Sequence, residues 1–173
     1  MNRPPALIVC MGVSGCGKTT VARTIADHLG LAFFEADDFH SAENKARMAA
    51  GRPLDDAMRE PWIRDICTRL QQELVKGNNC VLACSALRRS HRDRFRTIGF
   101  RIRFLFLHGE RDLIAGWMQE RADHFMPLSL LDSQFATLES PSGEADVTLI
   151  PITNDWKQTT ELALDEARSL VSL

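Results

Sequence analysis

The sequence predicts an α/β protein with three layers, α/β/α, in which helices cover both faces of a mostly parallel, five-stranded sheet. Short apolar runs of strand length alternate with amphipathic runs of helix length along the 173 residues. Most of the apolar runs are continuous rather than alternating, as in strands that are buried on both faces. There are no repeats or low-complexity segments, and the length suits a single domain over residues 1–173.

The first half of the chain contains two predicted strands and the helices that follow them. In the helix after the first strand, Val21, Ile25 and Leu29 share one face, and Gly30 marks its end. Pro61 suits the first turn of a later helix, where a missing N–H breaks no hydrogen bond. The predicted elements are strands over 6–12 and 31–37, helices over 17–30, 41–50 and 59–77, and a turn over 51–56.

The second half of the chain continues the alternation. Pro151 predicts that the fifth strand lies at the edge of the sheet or ends there, since proline cannot donate to a strand ladder. Residues 124–145 mix polar and apolar side chains and contain two prolines, which suits a mobile cover followed by a return helix. The other predicted elements are strands over 80–86, 101–109 and 147–153, and helices over 88–97, 110–122 and 155–171.

Composition argues against several kinds of partner. A formal net charge of -2 gives no general attraction to nucleic acid or to an anionic membrane. No apolar run approaches the roughly 20 residues that span a bilayer. The cysteines are odd in number and several lie in apolar runs, which indicates buried, reduced thiols in a cytoplasmic protein. They are Cys10, Cys16, Cys67, Cys80 and Cys84.

The segment GVSGCGKTT, residues 12–20, matches the phosphate-binding pattern G-x-x-x-x-G-K-[ST] between a strand and a helix. Its glycines allow the backbone to turn N–H groups toward an anion, and the helix N-terminus adds partial positive charge. Lys18 can bridge the β- and γ-phosphates of a nucleotide, and the Thr19 hydroxyl can bind Mg²⁺. The predicted nucleotide contacts are Gly12, Val13, Ser14, Gly15, Cys16, Gly17, Lys18, Thr19 and Thr20.

The acidic residues favour a small-molecule kinase over other nucleotide-binding classes. The N-K-x-D motif of many guanine-specific proteins is absent, and the third strand ends in CSA without an acid. The second strand instead leads into FFEADD, which places Asp37 at the ligand-binding edge of a parallel sheet. A carboxylate there can orient an acceptor hydroxyl, and nearby arginines suit an anionic acceptor. The residues thus indicate an ATP-dependent kinase of a small hydroxylated acid.

The sequence resembles the gluconate kinase (gluconokinase) family, which uses ATP to phosphorylate the 6-hydroxyl of D-gluconate. The resemblance rests on MGVSGCGKTT, ADDFH followed by N and RM, GRPLDD with REPW, CSALRRSHRD, and RADHFMPLSLLDSQFATLESP. These blocks span about residues 6–155. The resemblance implies a P-loop fold of the nucleoside-monophosphate-kinase type with a lid at about residues 110–140, a distant relation to shikimate kinase, use of ATP and Mg²⁺, and a homodimer.

The resemblance also implies roles for single residues. Lys18 and Asp37 would be catalytic, Asp37 as the acid beside the acceptor hydroxyl, and Thr19 would be the metal ligand. Arg121 resembles a lid arginine that closes on the transferred phosphoryl group. Gln134 and Glu139 belong to the block after the lid. The implied substrate-binding residues are Asp37, His40, Arg47, Arg59, Ser85, Arg88 and His124. Arg92 is predicted to join them because it lies one helical turn after Arg88 and should face the same way.

The chain departs from the family pattern near these residues. Glu35 and Ala36 precede Asp37 where the family usually has Asp-Gly-Asp or Gly-Asp-Asp, and Ser41 and His91 replace a proline and a tyrosine. Most of these changes keep a small or polar residue, so we expect the activity to survive and the choice of acceptor to be the property affected. A kinase for another sugar acid or for a shikimate-like hydroxy acid therefore stays open.

A third hypothesis is a nucleotide-binding regulatory or nucleic-acid-interacting protein that lacks phosphoryl transfer. The arginine-rich segment 88–103 is the feature that suggests it. A solvated helix face with one or two phosphate-facing arginines explains that segment better, because the chain as a whole is slightly acidic. We therefore expect no nucleic-acid partner and no membrane partner.

Overall fold

The structure, a computed structural model, describes residues 3–120 and 128–172. Its strands are β1 (Ala6–Met11), β2 (Ala32–Glu35), β3 (Cys80–Ala83), β4 (Arg101–His108) and β5 (Val147–Pro151). They form one sheet in the order β2-β3-β1-β4-β5, and every neighbouring pair is parallel. The predicted α/β class and five-stranded sheet are confirmed. Pro151 does lie on an edge strand, as its missing N–H predicted.

Helices pack on both faces of this sheet. One face carries α1 and α7, which contact each other, and the other carries α3 and α4. A short 3₁₀ turn, Ala36–Phe39, follows β2. The helices of the described ranges are α1 (Lys18–Leu29), α2 (Ala42–Ala49), α3 (Asp56–Lys76), α4 (Arg89–Arg96), α5 (Arg111–Glu120), α6 (Leu128–Thr137) and α7 (Trp156–Ser172).

Successive residues of β1 belong to different layers of the core. Ile8 and Cys10 join the apolar cluster that includes residues of α1 and α7, whereas Leu7 and Val9 join the cluster that includes residues of α3 and α4. Every residue of β1 is buried. Because both faces of the strand are covered, its sequence is apolar without alternation.

The carboxyl ends of the parallel strands bring three loops together. The backbone N–H of Cys84 donates to the Cys10 carbonyl over 3.0 Å, and the N–H of Gly12 donates to the Ser85 carbonyl over 3.3 Å. These bonds hold the loop after β3 beside the phosphate loop after β1. The 3₁₀ turn after β2 emerges at the same edge, where open α/β sheets bind ligands.

Helix α3 begins earlier than the sequence predicted. Asp55 is its N-cap, and the Asp55 carboxylate accepts a 2.8 Å hydrogen bond from the backbone N–H of Met58. Pro61 consequently lies in the second turn rather than the first, so the predicted position of Pro61 was wrong. The carboxylate cap at Asp55 stabilises the additional turn, and Pro61 leaves the Ala57 carbonyl without its usual helical donor.

Two predicted strands end earlier than expected. β2 ends at Glu35 and β3 at Ala83, so Asp37 lies in the 3₁₀ turn and Ser85 in a loop, not in strands. The segment after β3 leaves the sheet where its backbone bonds to the phosphate loop and its flank, through Cys84 and Ser85. The return helix predicted within residues 124–145 is confirmed as α6, and the mobile cover before it falls partly outside the described residues.

The cysteines are mostly internal, as predicted. Cys10, Cys80 and Cys84 are buried free thiols, Cys16 is buried in the phosphate loop, and Cys67 is only partly covered. Burial raises the pKa of Cys80 and of Cys84 to about 12. These thiols therefore stay protonated and unreactive near neutral pH. Among the described residues, no helix has the length and apolar character to cross a membrane.

Candidate active site

The phosphate loop leaves the N-terminus of α1 open to an anion. Gly17 is the N-cap, with φ of 92°, and no side chain caps the helix there. The first backbone N–H groups of α1 are thus available to a phosphate, supported by the helix dipole. A Cβ atom at Gly17 would overlap the Trp156 ring, so packing as well as backbone conformation requires glycine at this position.

Lys18 and Thr19 already have partners within the protein. Lys18 Nζ donates to the Val13 carbonyl over 2.9 Å, which folds the lysine back over the loop. Thr19 Oγ1 donates to Glu35 Oε2 over 2.6 Å. Burial raises the pKa of the Glu35 carboxyl, and the bond from Thr19 opposes that rise. The hydroxyl proton is therefore directed to Glu35, which leaves the oxygen lone pairs of Thr19 for another ligand.

A pocket at the strand ends joins the phosphate loop to the predicted acceptor residues. Ser14 and Lys18 line one side of it, and α6 contributes Ser133 and Gln134 to another. Because Lys18 and Asp37 line the same pocket, a phosphate at the loop and a hydroxyl at Asp37 would be neighbours. Of the predicted acceptor residues, those that line this pocket are Asp37, His40, Arg59, Ser85 and Arg88.

Two histidines and a tryptophan form an aromatic wall of the pocket. The ring of His40 stacks on Trp62 with centroids 4.5 Å apart, and His91 meets Trp62 edge-on at 6.0 Å. The Trp62 indole N–H donates to the Ala36 carbonyl over 2.7 Å, which fixes the platform. Within the described part of the chain, the buried Nδ1 of His40 has no hydrogen-bond partner, so it is available to a ligand.

Both histidines are held in the neutral form. Burial lowers the pKa of His40. Burial, with the nearby charges of Arg59 and Arg88, lowers the pKa of His91 to about 4. Neutral imidazoles can both donate and accept hydrogen bonds, which suits recognition of hydroxyl groups.

Two arginines that line the pocket share one carboxylate, that of Asp56. Arg59 Nη1 lies 3.3 Å from Asp56 Oδ1, and Arg88 Nε lies 3.1 Å from the same oxygen. Burial and the charge of Arg88 lower the pKa of Arg59. The Asp56 side chain is 65% exposed, so solvent weakens its compensation of the two cations. This arginine pair therefore favours an anionic ligand.

Two other predicted acceptor residues do not line the pocket. Arg47 Nε donates to the Pro53 carbonyl over 3.0 Å, and Arg47 is not among the residues that line the pocket. Arg92 is fully buried, and its guanidinium bonds to protein atoms on every side, so the prediction that it contacts substrate is wrong. Arg121 and His124 lie outside the described residues.

The segment after the lid region contacts both halves of the site. Gln134 Oε1 accepts a 2.6 Å hydrogen bond from the Ser14 backbone N–H in the phosphate loop. Glu139 Oε2 accepts a 2.6 Å bond from the Arg89 backbone N–H at the start of α4. The sequence motifs placed Gln134 and Glu139 after the lid but did not predict which residues they contact. Sequence reasoning did not identify Glu35 as the partner of Thr19. The position of Glu35 at the end of β2 was the feature that could have indicated it.

Comparisons with known proteins agree with this geometry. Residues 7–141 match the family model described as AAA domain. The chain is 43% identical over 147 residues to a gluconokinase of Gluconobacter oxydans (strain 621H), covering 85% of this chain and 83% of that protein. It is 38% identical over 154 residues to the thermosensitive gluconokinase of Escherichia coli (strain K12), covering 88% and 82%.

Solved structures show the same relation. The crystal structure of a gluconokinase from Sinorhizobium meliloti 1021 superposes with a TM-score of 0.85 at 39% identity, covering 99% of this chain and 96% of that one. A shikimate kinase from Bacteroides thetaiotaomicron superposes with a TM-score of 0.64 at 17% identity and supports the fold alone.

Proposed function

The chain belongs to the gluconokinase family, and we propose on that premise that it transfers the terminal phosphoryl group of ATP to the 6-hydroxyl of D-gluconate, giving 6-phospho-D-gluconate and ADP. The observation that carries this proposal is the single pocket lined by Lys18 of the phosphate loop, by Asp37 and by the paired Arg59 and Arg88. It supplies a phosphate site, a carboxylate for the hydroxyl, and cations for the carboxylate of the acid.

On the donor side, the phosphate loop over residues 12–20 binds the phosphates of ATP through the first N–H groups of α1 and the loop amides that are not used within the protein. The Gly12 and Ser14 amides already donate to the Ser85 carbonyl and to Gln134. Lys18 exchanges the Val13 carbonyl for phosphate oxygens, which strengthens its hydrogen bond because both partners are then charged. Thr19 would hold Mg²⁺, oriented by its bond to Glu35, and the hard oxygen donors here suit that ion. When bound, Mg²⁺ would neutralise charge that gathers on the β- and γ-phosphates.

On the acceptor side, Asp37 accepts a hydrogen bond from the 6-hydroxyl and orients the hydroxyl oxygen toward the γ-phosphorus. As the bond from that oxygen to phosphorus forms and the bond from phosphorus to ADP breaks, Asp37 takes the hydroxyl proton and ADP leaves. Arg59 and Arg88 bind the carboxylate of gluconate. This carboxylate replaces Asp56, whose ion pairs with the two arginines are weakened by solvent. The Nδ1 atom of His40, which has no partner among the described residues, forms a hydrogen bond with a hydroxyl group of gluconate. Ser85 lines the same pocket and offers a further hydroxyl contact.

The proposal also covers the lid, the cellular compartment and the oligomeric state. The lid, at about residues 110–140 of a single domain, closes with Arg121 and His124 over the reacting groups and excludes water. The buried free thiols Cys10, Cys80 and Cys84 suit a reducing compartment such as the cytoplasm. A homodimer is expected from the family, and the net charge of -2 gives no reason to expect nucleic acid as a partner.

The experiment that tests this function is identification of the product with matched acceptors. D-Gluconate should give a single phosphorylated acid, with the phosphate on oxygen 6 by phosphorus NMR. 6-Deoxy-D-gluconate should bind but accept no phosphate, and D-glucose, which lacks the carboxylate, should bind poorly. Transfer to another sugar acid or to shikimate, but not to gluconate, would show that the departures around Asp37 have changed the acceptor.

A further inference from the structure

The loop after β3 contains a strained residue between two residues of the acceptor pocket. Ala86 has φ of 43°, and in the described ranges it is the sole residue other than glycine with positive φ. A Cβ atom makes this left-handed conformation unfavourable, so the surrounding structure must impose it. Ser85 and Arg88, on either side of Ala86, both line the pocket. The backbone at Ala86 therefore decides where these two side chains point.

Arg92 supplies the constraint from inside α4. Its Nη1 donates to the Ala86 carbonyl over 2.9 Å and to the Leu87 carbonyl over 3.1 Å. Its Nη2 donates to the Glu139 carbonyl over 3.1 Å and to the Glu144 carboxylate, and its Nε donates to that same carboxylate over 3.1 Å. A guanidinium has five N–H donors, and all of them are used here.

These bonds join the strained loop to the segment that follows α6. The Glu139 backbone N–H donates to the Leu87 carbonyl over 2.9 Å, in addition to the bond from Arg92 to the Glu139 carbonyl. Hydrogen bonds from Arg92, and then from Arg96, lower the pKa of Glu144 to about 2, so this anchor stays charged. The buried arginine thus binds two backbone segments with one rigid group, which a lysine with three donors cannot reproduce.

We propose that Arg92 is a positioning residue for the acceptor: it holds Ala86 in its left-handed conformation and thereby directs Ser85 and Arg88 into the pocket. This proposal rests on the proposed function for the identity of the acceptor. Arg92 touches no substrate itself, which agrees with its complete burial. Its effect falls mainly on acceptor binding, because the side chains of Ser85 and Arg88 serve that side of the site. The bonds that join this loop to the phosphate loop come from the backbone of residues 84 and 85, before Ala86, and are not made by Arg92.

The test compares Arg92→Lys with a neighbour from the same charged network. Arg96→Lys is the matched control, since Arg96 bonds to Glu144, Asp146 and Asp93 but not to the loop. Arg92→Lys should raise the KM for gluconate about 10-fold or more and leave the KM for ATP within about twofold, as loss of acceptor positioning requires. Arg96→Lys should lower the Tm but leave both KM values within about twofold.

A second substitution separates positioning from general stability. Glycine adopts the left-handed conformation freely. Ala86→Gly in the Arg92→Lys background should therefore lower the raised KM for gluconate by about threefold or more. If Arg92→Lys does not fold, Glu144→Gln, which weakens one anchor of Arg92, should give an intermediate rise of about threefold in the gluconate KM. An equal rise in the KM values for gluconate and ATP, or no recovery with glycine, overturns the proposal.

Hydrogen exchange gives a readout that does not depend on gluconate. Amides of residues 84–88 should exchange about 10-fold faster in Arg92→Lys than in Arg96→Lys, because local opening becomes easier when the anchor is lost. Equal exchange in the two variants overturns the proposal. If the unaltered enzyme does not phosphorylate gluconate but the exchange difference appears, the proposed function fails while the hold of Arg92 on the loop stands.

Discussion

The Thr19 hydroxyl donates a 2.6 Å hydrogen bond to the Glu35 carboxylate, which joins the phosphate loop to the residue that ends β2. The bond fixes the orientation of the hydroxyl. Residues that orient a metal ligand in this way commonly control metal affinity. We therefore expect Glu35 to influence the affinity for Mg²⁺ through Thr19.

Glu35→Gln should weaken the use of Mg²⁺. Glutamine can still accept the bond from Thr19 but removes the negative charge, so the Mg²⁺ concentration for half-maximal activity should rise roughly 10-fold. Titration of activity with Mg²⁺ at saturating ATP measures this. Asp38→Asn is the control, because Asp38 is exposed and does not line the pocket. The same rise in both variants would argue for a general charge effect rather than for the bond.

Asp37→Asn should lower kcat by about 100-fold or more, because a positioned proton acceptor contributes on that scale. The Kd for ATP should change by less than about twofold, since Asp37 acts on the acceptor rather than on the nucleotide. Steady-state kinetics and calorimetric titration with ATP measure the two effects. An unchanged kcat would remove Asp37 from its role, and Asp38→Asn again provides the neighbouring control.

His91→Phe should make stability less sensitive to acid. Burial and nearby arginines lower the pKa of His91 from 6.5 to about 4. As pH falls from 6.5 toward 4, the unfolded chain binds a proton that the folded chain does not, and the free energy of unfolding decreases. Without the imidazole this decrease should be shallower, although His40 still contributes in the same direction. Urea unfolding at several pH values in this range measures the free energy of unfolding. The same dependence of that free energy on pH in both proteins would contradict the lowered pKa of His91.

Gly17→Ala should cost more stability than Gly30→Ala. Both glycines have positive φ, 92° and 65°, and each alanine adds a left-handed penalty of about 1–2 kcal/mol. Space around Gly30 is open, whereas a Cβ at Gly17 would overlap the Trp156 ring. Thermal unfolding should therefore show the larger loss for Gly17→Ala, together with weaker ATP binding. Equal losses would mean that Trp156 moves aside easily.

The sequence predicted the sheet and the phosphate loop because both depend on local patterns. Uninterrupted apolar runs identify strands buried on two faces, and spaced glycines with Lys18 identify an anion site. The start of α3 was placed too late because residues 51–56 were assigned to a turn, whereas Asp55 is the N-cap of the helix. A capping side chain bonds to an amide only three residues away, so this cap is a local feature that the sequence contains.

The roles of the arginines could not be read from local patterns. Arg88 and Arg92 lie one turn apart on α4 or at its start, and sequence spacing alone predicts that they face the same way. The structure directs Arg88 to the pocket and Arg92 to residues 139–144, which are distant in sequence. The strained Ala86 between Ser85 and Leu87 was equally invisible, because alanine carries no sequence signal for positive φ.

ADP release from MgATP, measured with and without D-gluconate at low salt, tests whether the phosphate loop serves a sugar-acid acceptor. Release that requires gluconate, and that disappears in Lys18→Ala, is the result predicted for a kinase whose phosphate loop serves a sugar-acid acceptor. Equal release with and without gluconate, in a protein that still binds ATP, would show that gluconate is not the acceptor.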